Sequence, residues 1–498
     1  MNPTLTLAVI GAYFGLLFLI SWFTGKNASE KTFFTADRNS PWYLVAFGMI
    51  GASLSGVTFI SVPGAVGTGQ WAYMQMVIGY LLGYFVIATV LLPLYYRLNL
   101  TSIYGYLDER FGMSSYKSGA VLFIVSRIVG SSLRLYLVVI VLQLAVFDYF
   151  GIPFGITTFL SIALIYIYTF RGGIKTIVWT DTLQTFFLLA GAGLAVYFIA
   201  DDLNLGFLSL VEKVSENPHS KIFFWEWGPA NNFFKQFFSG AFIAIVMTGL
   251  DQDMMQKNLT CRSLPDAQKN MFWFSITLVL ANLLFMSLGV LLYIYGNETG
   301  IVHEVFDGNC LIQVKDAVSG EMICRKTDQL FPLLSLNYLG PVAGIVFILG
   351  IIAAAYSSAD STLTALTTSF CVDILNFEKR EDGEWKKRTR QYVHIGFSFV
   401  MFLAILIFKA MSDDAVINEI FKLAGYTYGP LLGLFAFGLF TEWKVRDRWV
   451  PLICIAAPVL SYAIQAISPS LGYSFGFEIL LLNGALTFAG LMALRENV

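Results

Sequence analysis

Apolar runs long enough to cross a bilayer alternate with short polar breaks along nearly the whole chain. Thirteen such runs lie near residues 4–24, 42–62, 73–97, 117–147, 154–170, 174–200, 235–250, 271–296, 340–370, 389–410, 416–440, 449–467 and 476–494. A spanning helix needs about 20 predominantly apolar residues. The pattern predicts an all-α polytopic membrane protein. The first run has full spanning length and no basic segment before it, so it reads as a membrane helix rather than a cleaved leader.

The polar positions inside the apolar runs carry the chemistry. The run 340–370 ends in GIIAAAYSSADSTLTALTTSF, with Ser357, Ser358, Asp360, Ser361 and Thr364 at its centre. A carboxylate at the middle of a bilayer costs about 2.5–3.5 kcal/mol on insertion scales, so it faces the protein interior. On a helix, Ser357, Asp360, Ser361 and Thr364 share one face. That face offers oxygen only, which suits a hard cation rather than zinc or copper. A Ser/Thr face gluing two helices together is the competing reading.

Three other runs are irregular. WYLVAFGMIGASLSGVTFISVPG (42–64) concentrates Gly and Ser at its middle. Such a helix can unwind, which is tolerated only where it lines protein or a wet cavity, and its freed carbonyls can bind a cation. A small-residue packing face is the alternative. Asp181 sits inside the run 174–200, and with Asp360 it outlines one ion pathway. If the two acids share a site, they need a shared cation or a proton between them. Arg127 and Arg134 are two turns apart on the fourth run. Each needs an anionic partner, an internal acid or a substrate carboxylate.

Composition agrees with a membrane protein. Hydrophobic residues make up 57% and charged residues 13%, against about 25% charged in soluble domains. A net charge of −2 gives no case for a nucleic-acid partner. The five cysteines show no metal spacing, and the glycine-rich GAVGTGQ at 64–70 lacks the GK[ST] of a phosphate loop. With no ATPase module, active transport must draw on an ion gradient. Lys and Arg concentrate on one side of the alternating loops, densest at EKREDGEWKKRTR (378–390). This places the N-terminus outside and the C-terminus in the cytoplasm. The loops 201–234 and 297–339 then lie outside, where Cys310 and Cys324 could pair or remain free thiols. No segment demands a protein partner, and an oligomer is left open.

Six blocks, in order, resemble the sodium/solute symporter family. They are SGVTFISVPG, LPLYYRLNLTSIYGYLDERFG (92–112), RGGIKTIVWTD (171–181), GLDQDMMQKNLTCRS (249–263), AAAYSSADS and AGYTYGPLLGLF (424–435). The resemblance implies a multi-pass protein of a bacterial inner membrane. It implies a LeuT-like core of five helices plus five inverted helices over 42–440, preceded by one span at 4–24 and followed by two over 449–494. It implies a common sodium site on the carbonyls of Gly51, Leu54 and Ala354 and the hydroxyls of Ser357 and Ser358. A second sodium site, present in some members, would fall on Asp181, Ser357, Asp360 and Ser361. At the position of Asp360 the family usually has a small or hydroxylic residue.

The LS-x-x-TF of residues 54–59 is similar to the sialic acid branch. Placing the solute beside the unwound helix nominates Ser53, Ser55 and Thr58, with Gln75, Phe242 and Arg134 around them. A sialic-acid-like anion, a neutral sugar or another small organic acid fits this pocket. The expected activity is sodium-coupled symport by alternating access, with a proton-coupled symporter of the same fold as the alternative. A channel would need a repeated filter loop, a sensor a signalling domain, and an enzyme a nucleophile–base pair. The sequence shows none of these. Gly425 and Gly429 beside Pro430 are candidate hinges.

Overall fold

The structure is a computed structural model that describes all residues except 1–2, 27, 308–309, 317–318, 382, 412–415, 472, 474 and 497–498. Each of the thirteen apolar runs overlaps a helix. They are α1 (Pro3–Thr24), the pair α2 (Trp42–Ser53) and α3 (Gly56–Gly69), α4 (Tyr73–Val86), α5 (Met113–Leu142), α6 (Phe154–Thr169) and α7 (Ile174–Asp202). Then follow the pair α8 (Phe233–Ala244) and α9 (Gln252–Asn258), α10 (Leu264–Glu298), α11 (Gly340–Ser369), α12 (Glu384–Met411), α13 (Val416–Phe440), α14 (Val450–Ile467) and α15 (Ile479–Ala493). Among the described residues, eight helices are long and apolar enough to span, or ten if each bent pair counts as one.

The centre of the bundle is α11. Every residue from Gly350 to Ser369 is buried, whereas the surrounding helices carry exposed apolar side chains such as Phe186, Phe399 and Ile455. A fully buried helix that still carries Ser, Thr and Asp is one whose polar groups are served internally. Around it pack α7, α5, α2, α3 and α6.

One departure from an all-α chain lies in the loop 297–339. There β1 (Val302–Asp307), β2 (Cys310–Lys315) and β3 (Met322–Arg325) form an antiparallel sheet in that order. Val302, Ile312 and Val314 face inward and are buried. The alternation is too short to stand out beside the apolar runs, and the sequence pattern predicts no strands there. Cys310 and Cys324 are bridged across β2 and β3, with their Cα atoms 5.6 Å apart. His219, from the loop 201–234, lies 3.3 Å from Glu304 of β1. Burial alone would raise the Glu304 carboxyl. The hydrogen bonds with His219 and Asn297 outweigh it and hold the group below its ordinary range.

The glycines of α13 stand in close contact with α15. A Cβ on Gly425 would lie 2.9 Å from Ile479. The Asn483 amide of α15 donates to the carbonyls of Gly425 and Tyr426, each at 3.1 Å. Small residues are what let two helix backbones approach this closely.

Candidate functional site

The second apolar run is broken where its Gly/Ser cluster predicts. Leu54 (φ −84°, ψ 72°) ends α2, and Ser55 (φ −64°, ψ 172°) precedes α3. The two halves meet at 56°. Leaving helical geometry removes the donors four residues on, so carbonyls in the last turn of α2 lose their helical partners. Gly48 and Gly51 press this half-helix against α7. A Cβ on Gly48 would lie 2.9 Å from that of Asp181, and the Gly51 N–H donates to Thr185 Oγ1 at 2.9 Å.

The break faces the hydroxyls of α11. A Cβ on Gly51 would stand 3.3 Å from Ser357 Oγ, and one on Gly56 would stand 3.9 Å from the Cβ of Ala355. Ser358 is buried beside them. The structure therefore brings together the α2 break and the Ala354–Ser358 turn of α11. This combination of released carbonyls and hydroxyls suits a desolvated sodium ion.

Next to it lies an ionic cluster. Ser357 Oγ donates to Asp181 Oδ1 at 2.7 Å. Lys257 of α9 stands 2.7 Å from Asp181 Oδ2 and 3.1 Å from Ser361 Oγ. Asp360 accepts from the Tyr168 hydroxyl of α6 at 2.8 Å. The cation required by the two acids is thus partly built in. Lys257 lies within the block 249–263, and its pairing with Asp181 is set by the fold. The polar block around it, DQDMMQKN, gives no local sign that Lys257 is buried against an acid.

The two arginines of α5 have different fates. Arg127 makes a two-pronged pair with Asp251, at 2.7 and 2.5 Å, and lies 3.5 Å from Asp253. Tyr428 also donates to Asp251. Arg134 reaches Ser358 Oγ at 3.4 Å, and among the described residues no carboxylate lies within 4 Å of it.

Arg134 lines a cavity of about 240 Å³ bounded by the α2–α3 break, α4, α8 and α10. Ser53, Ser55 and Thr58 line it as well, as does Asn282 of α10, whose side-chain oxygen has no partner. Two nominated residues stand elsewhere. Gln75 is 0% exposed; its amide donates to the carbonyls of Ala72 and Asn231 and accepts from the N–H of Phe224. It is occupied in fastening the loop 201–234. Phe242 lies one residue before the cavity-lining Ile243 and Ala244 and does not itself line the cavity. Among the described residues no cluster of three His, Cys, Asp or Glu side chains could hold a metal.

The model of the sodium:solute symporter family matches residues 33–446. The chain belongs to the sodium:solute symporter family. This symporter is a multi-pass membrane transporter, not an enzyme, and sodium is its coupling ion. It is 25% identical over 454 residues to the sodium/sialic acid symporter NanT of Aliivibrio fischeri, covering 88% of this chain and 83% of that one. It is 24% identical to the sodium/sialic acid symporter SiaT of Proteus mirabilis, over 87% and 84% of the two chains. It is 27% identical to the human sodium/iodide cotransporter, over 84% and 62%. Its fold matches a substrate-bound, outward-open sodium-coupled sialic acid symporter with a TM-score of 0.80 at 21% identity, covering 99% of each chain.

Proposed function

We propose that this symporter imports a small organic anion with sodium, and that Arg134 receives the anion's carboxylate. One observation carries the reading: a guanidinium lines the cavity beside the broken helix, and among the described residues no carboxylate lies within 4 Å of it. A cation in a largely enclosed site calls for an anionic partner. Ser53, Ser55, Thr58 and Asn282 would meet the solute's hydroxyl or amide groups. A sialic-acid-like sugar acid fits this mixture of one charge and several hydrogen-bonding groups, and the sialic acid symporters among the relatives support that class.

The common sodium site would use the carbonyls of Gly51, Leu54 and Ala354 with the hydroxyls of Ser357 and Ser358. Sodium there orders the break that borders the cavity. An ion there would lie beside the Arg134 guanidinium, which reaches Ser358, and the two positive charges would repel. A carboxylate entering the cavity offsets both charges, so sodium and solute favour each other's binding reciprocally. Alternating access by a ten-helix core over 42–440 then carries both across. The Lys/Arg distribution supports an outside N-terminus and an inner-membrane location.

The test is uptake into proteoliposomes under a sodium gradient, comparing sugar acids with their neutral alcohols. Saturable, sodium-dependent uptake of the acids, lost in Arg134→Gln, is the expected result. Equal uptake of the neutral analogues by wild type and Arg134→Gln would overturn the anion reading.

A further inference from the structure

Gln70 ends α3 in a backbone conformation that suits glycine, with φ 51° and ψ −148°. It holds the first central position of a tight turn, in which the Ala72 N–H donates to the Gly69 carbonyl at 3.2 Å. A turn with positive φ at that position is normally filled there by Gly, Asn or Asp. The neighbours hold the strain in place. The Gln70 N–H donates to the Val66 carbonyl at 2.8 Å, and the Trp71 N–H donates to the carbonyl of Lys221 in the loop 201–234 at 3.1 Å. Glycine would make the same turn without strain, so the turn itself does not call for a glutamine. Strained residues of this kind collect at ligand clamps and switch regions.

The side chain stands where a solute passes. Gln70 lines the same cavity as Arg134. It lies twelve residues along α3 from Thr58, about 18 Å of helix, at the end of the cavity away from the break. That end is open: Ala65 and Gly69 are exposed, and a Cβ on Gly69 would meet nothing within 4 Å. Arg127 and Met254, which line the other end, are buried. On the orientation proposed above, the mouth beside Gln70 faces outside. The Gln70 amide makes no hydrogen bond to the described residues. Tyr73, Tyr80 and Tyr84 line the cavity from one face of α4, and the hydroxyls of Tyr73 and Tyr80 are 3.3 Å apart. Phe477, from the segment between α14 and α15, lines it too.

We propose that Gln70 is a docking residue for the incoming solute. Its amide, with the Tyr73 hydroxyl and the Phe477 ring, takes the hydroxyl-bearing part of a sugar acid at the mouth of the cavity, before the carboxylate reaches Arg134. The inference rests on the anionic-solute reading and narrows it to a polyhydroxylated acid. An amide both donates and accepts, so it can bind two neighbouring hydroxyls at once. The aromatic rings offer apolar faces to the C–H groups of a sugar ring. The tyrosines of α4 continue this surface inward from the mouth. A short monocarboxylate has too few hydroxyls to use it. The strain at Gln70 is then held for the sake of the side chain, and removing that side chain should move stability and solute handling in opposite directions.

The experiment compares the full-length wild type with Gln70→Gly and Gln70→Asn, by melting in detergent and by sodium-driven uptake of sialic acid and glucuronate into proteoliposomes. Gln70→Gly should melt at or above wild type. Its KM for the sugar acids should rise about fivefold, the size of one lost hydrogen bond, with kcat unchanged. Gln70→Asn keeps an amide and suits positive φ, so it should melt no lower than wild type and recover part of the KM. An unchanged KM in Gln70→Gly, where wild type carries the acids and Arg134→Gln does not, would overturn the docking role and leave the anion reading standing. A raised KM with a lowered melting temperature would make the effect structural and overturn the role as well. No sodium-dependent uptake of either acid by wild type would overturn the anion reading and this inference with it.

Discussion

The Arg134 guanidinium stands 3.4 Å from the Ser358 hydroxyl. This contact joins the cavity to the proposed sodium site, because Arg134 lines the first and Ser358 would be a ligand in the second. An ion at Ser358 and a carboxylate at Arg134 would be near neighbours.

Ser358→Ala would remove one proposed sodium ligand and the hydroxyl beside Arg134 without enlarging the helix. The sodium concentration for half-maximal uptake should rise at least tenfold, about 1.4 kcal/mol of lost ion binding. The melting temperature in potassium should be unchanged. Unaltered sodium activation would move the site elsewhere.

Arg134→Lys and Arg134→Gln separate charge from geometry. Lysine keeps a point charge but loses the planar fork that grips a carboxylate. The expected order of solute KM is wild type, then Lys, then Gln. An identical KM in all three would remove Arg134 from the solute pocket.

Lys257→Met leaves Asp181 buried with its ammonium partner gone. Breaking one side of a buried ion pair costs about 3–5 kcal/mol, so expression and melting temperature should fall sharply. The double change Asp181→Asn with Lys257→Met should recover much of that loss. If the single and double variants are equally unstable, the pair is not what holds α7 to α9.

Gly51→Ala tests the close approach of α2 to α7. A Cβ there would press on Thr185 Oγ1, the acceptor for the Gly51 N–H. The half-helix must shift away from α7, and sodium affinity should drop with it. Thr185→Ala added to Gly51→Ala should relieve the clash but not the lost hydrogen bond, restoring only part of the affinity.

The contact between His219 and Glu304 should respond to acid. A carboxyl held below its ordinary value contributes stability above the unfolded pKa, and that contribution is lost as pH falls through the folded one. Proteolysis of the loop 297–339 should therefore quicken below about pH 4, near the ordinary carboxylate value. In Glu304→Gln the rate should be less dependent on pH in that range.

The break at residues 54–55 was legible because Gly48, Gly51, Ser53, Ser55 and Gly56 interrupt an apolar run, and such residues hold a membrane helix weakly. The burial of α11's polar face was legible because hydroxyls and an acid inside an apolar run must face the interior. Arg127 and Arg134 could not be told apart in this way. Both lie on α5 with similar neighbours in sequence, and only Asp251, distant along the chain, distinguishes them. Gln75 sits close to the broken run in sequence, and only the fold brings the loop 201–234 onto its amide.

The amino-acid pattern by itself determined the membrane helices, the broken second run, the oxygen-rich face of α11 and the family motifs. These follow from local physics: apolar length, backbone freedom, and the cost of polar groups in lipid. Only the tertiary structure decided which charges meet. It set Lys257 on Asp181, Asp251 on Arg127 and Tyr168 on Asp360, and left Arg134 facing the cavity. Such pairings depend on how distant helices cross, and a buried charge takes its meaning from the partner that the crossing brings to it.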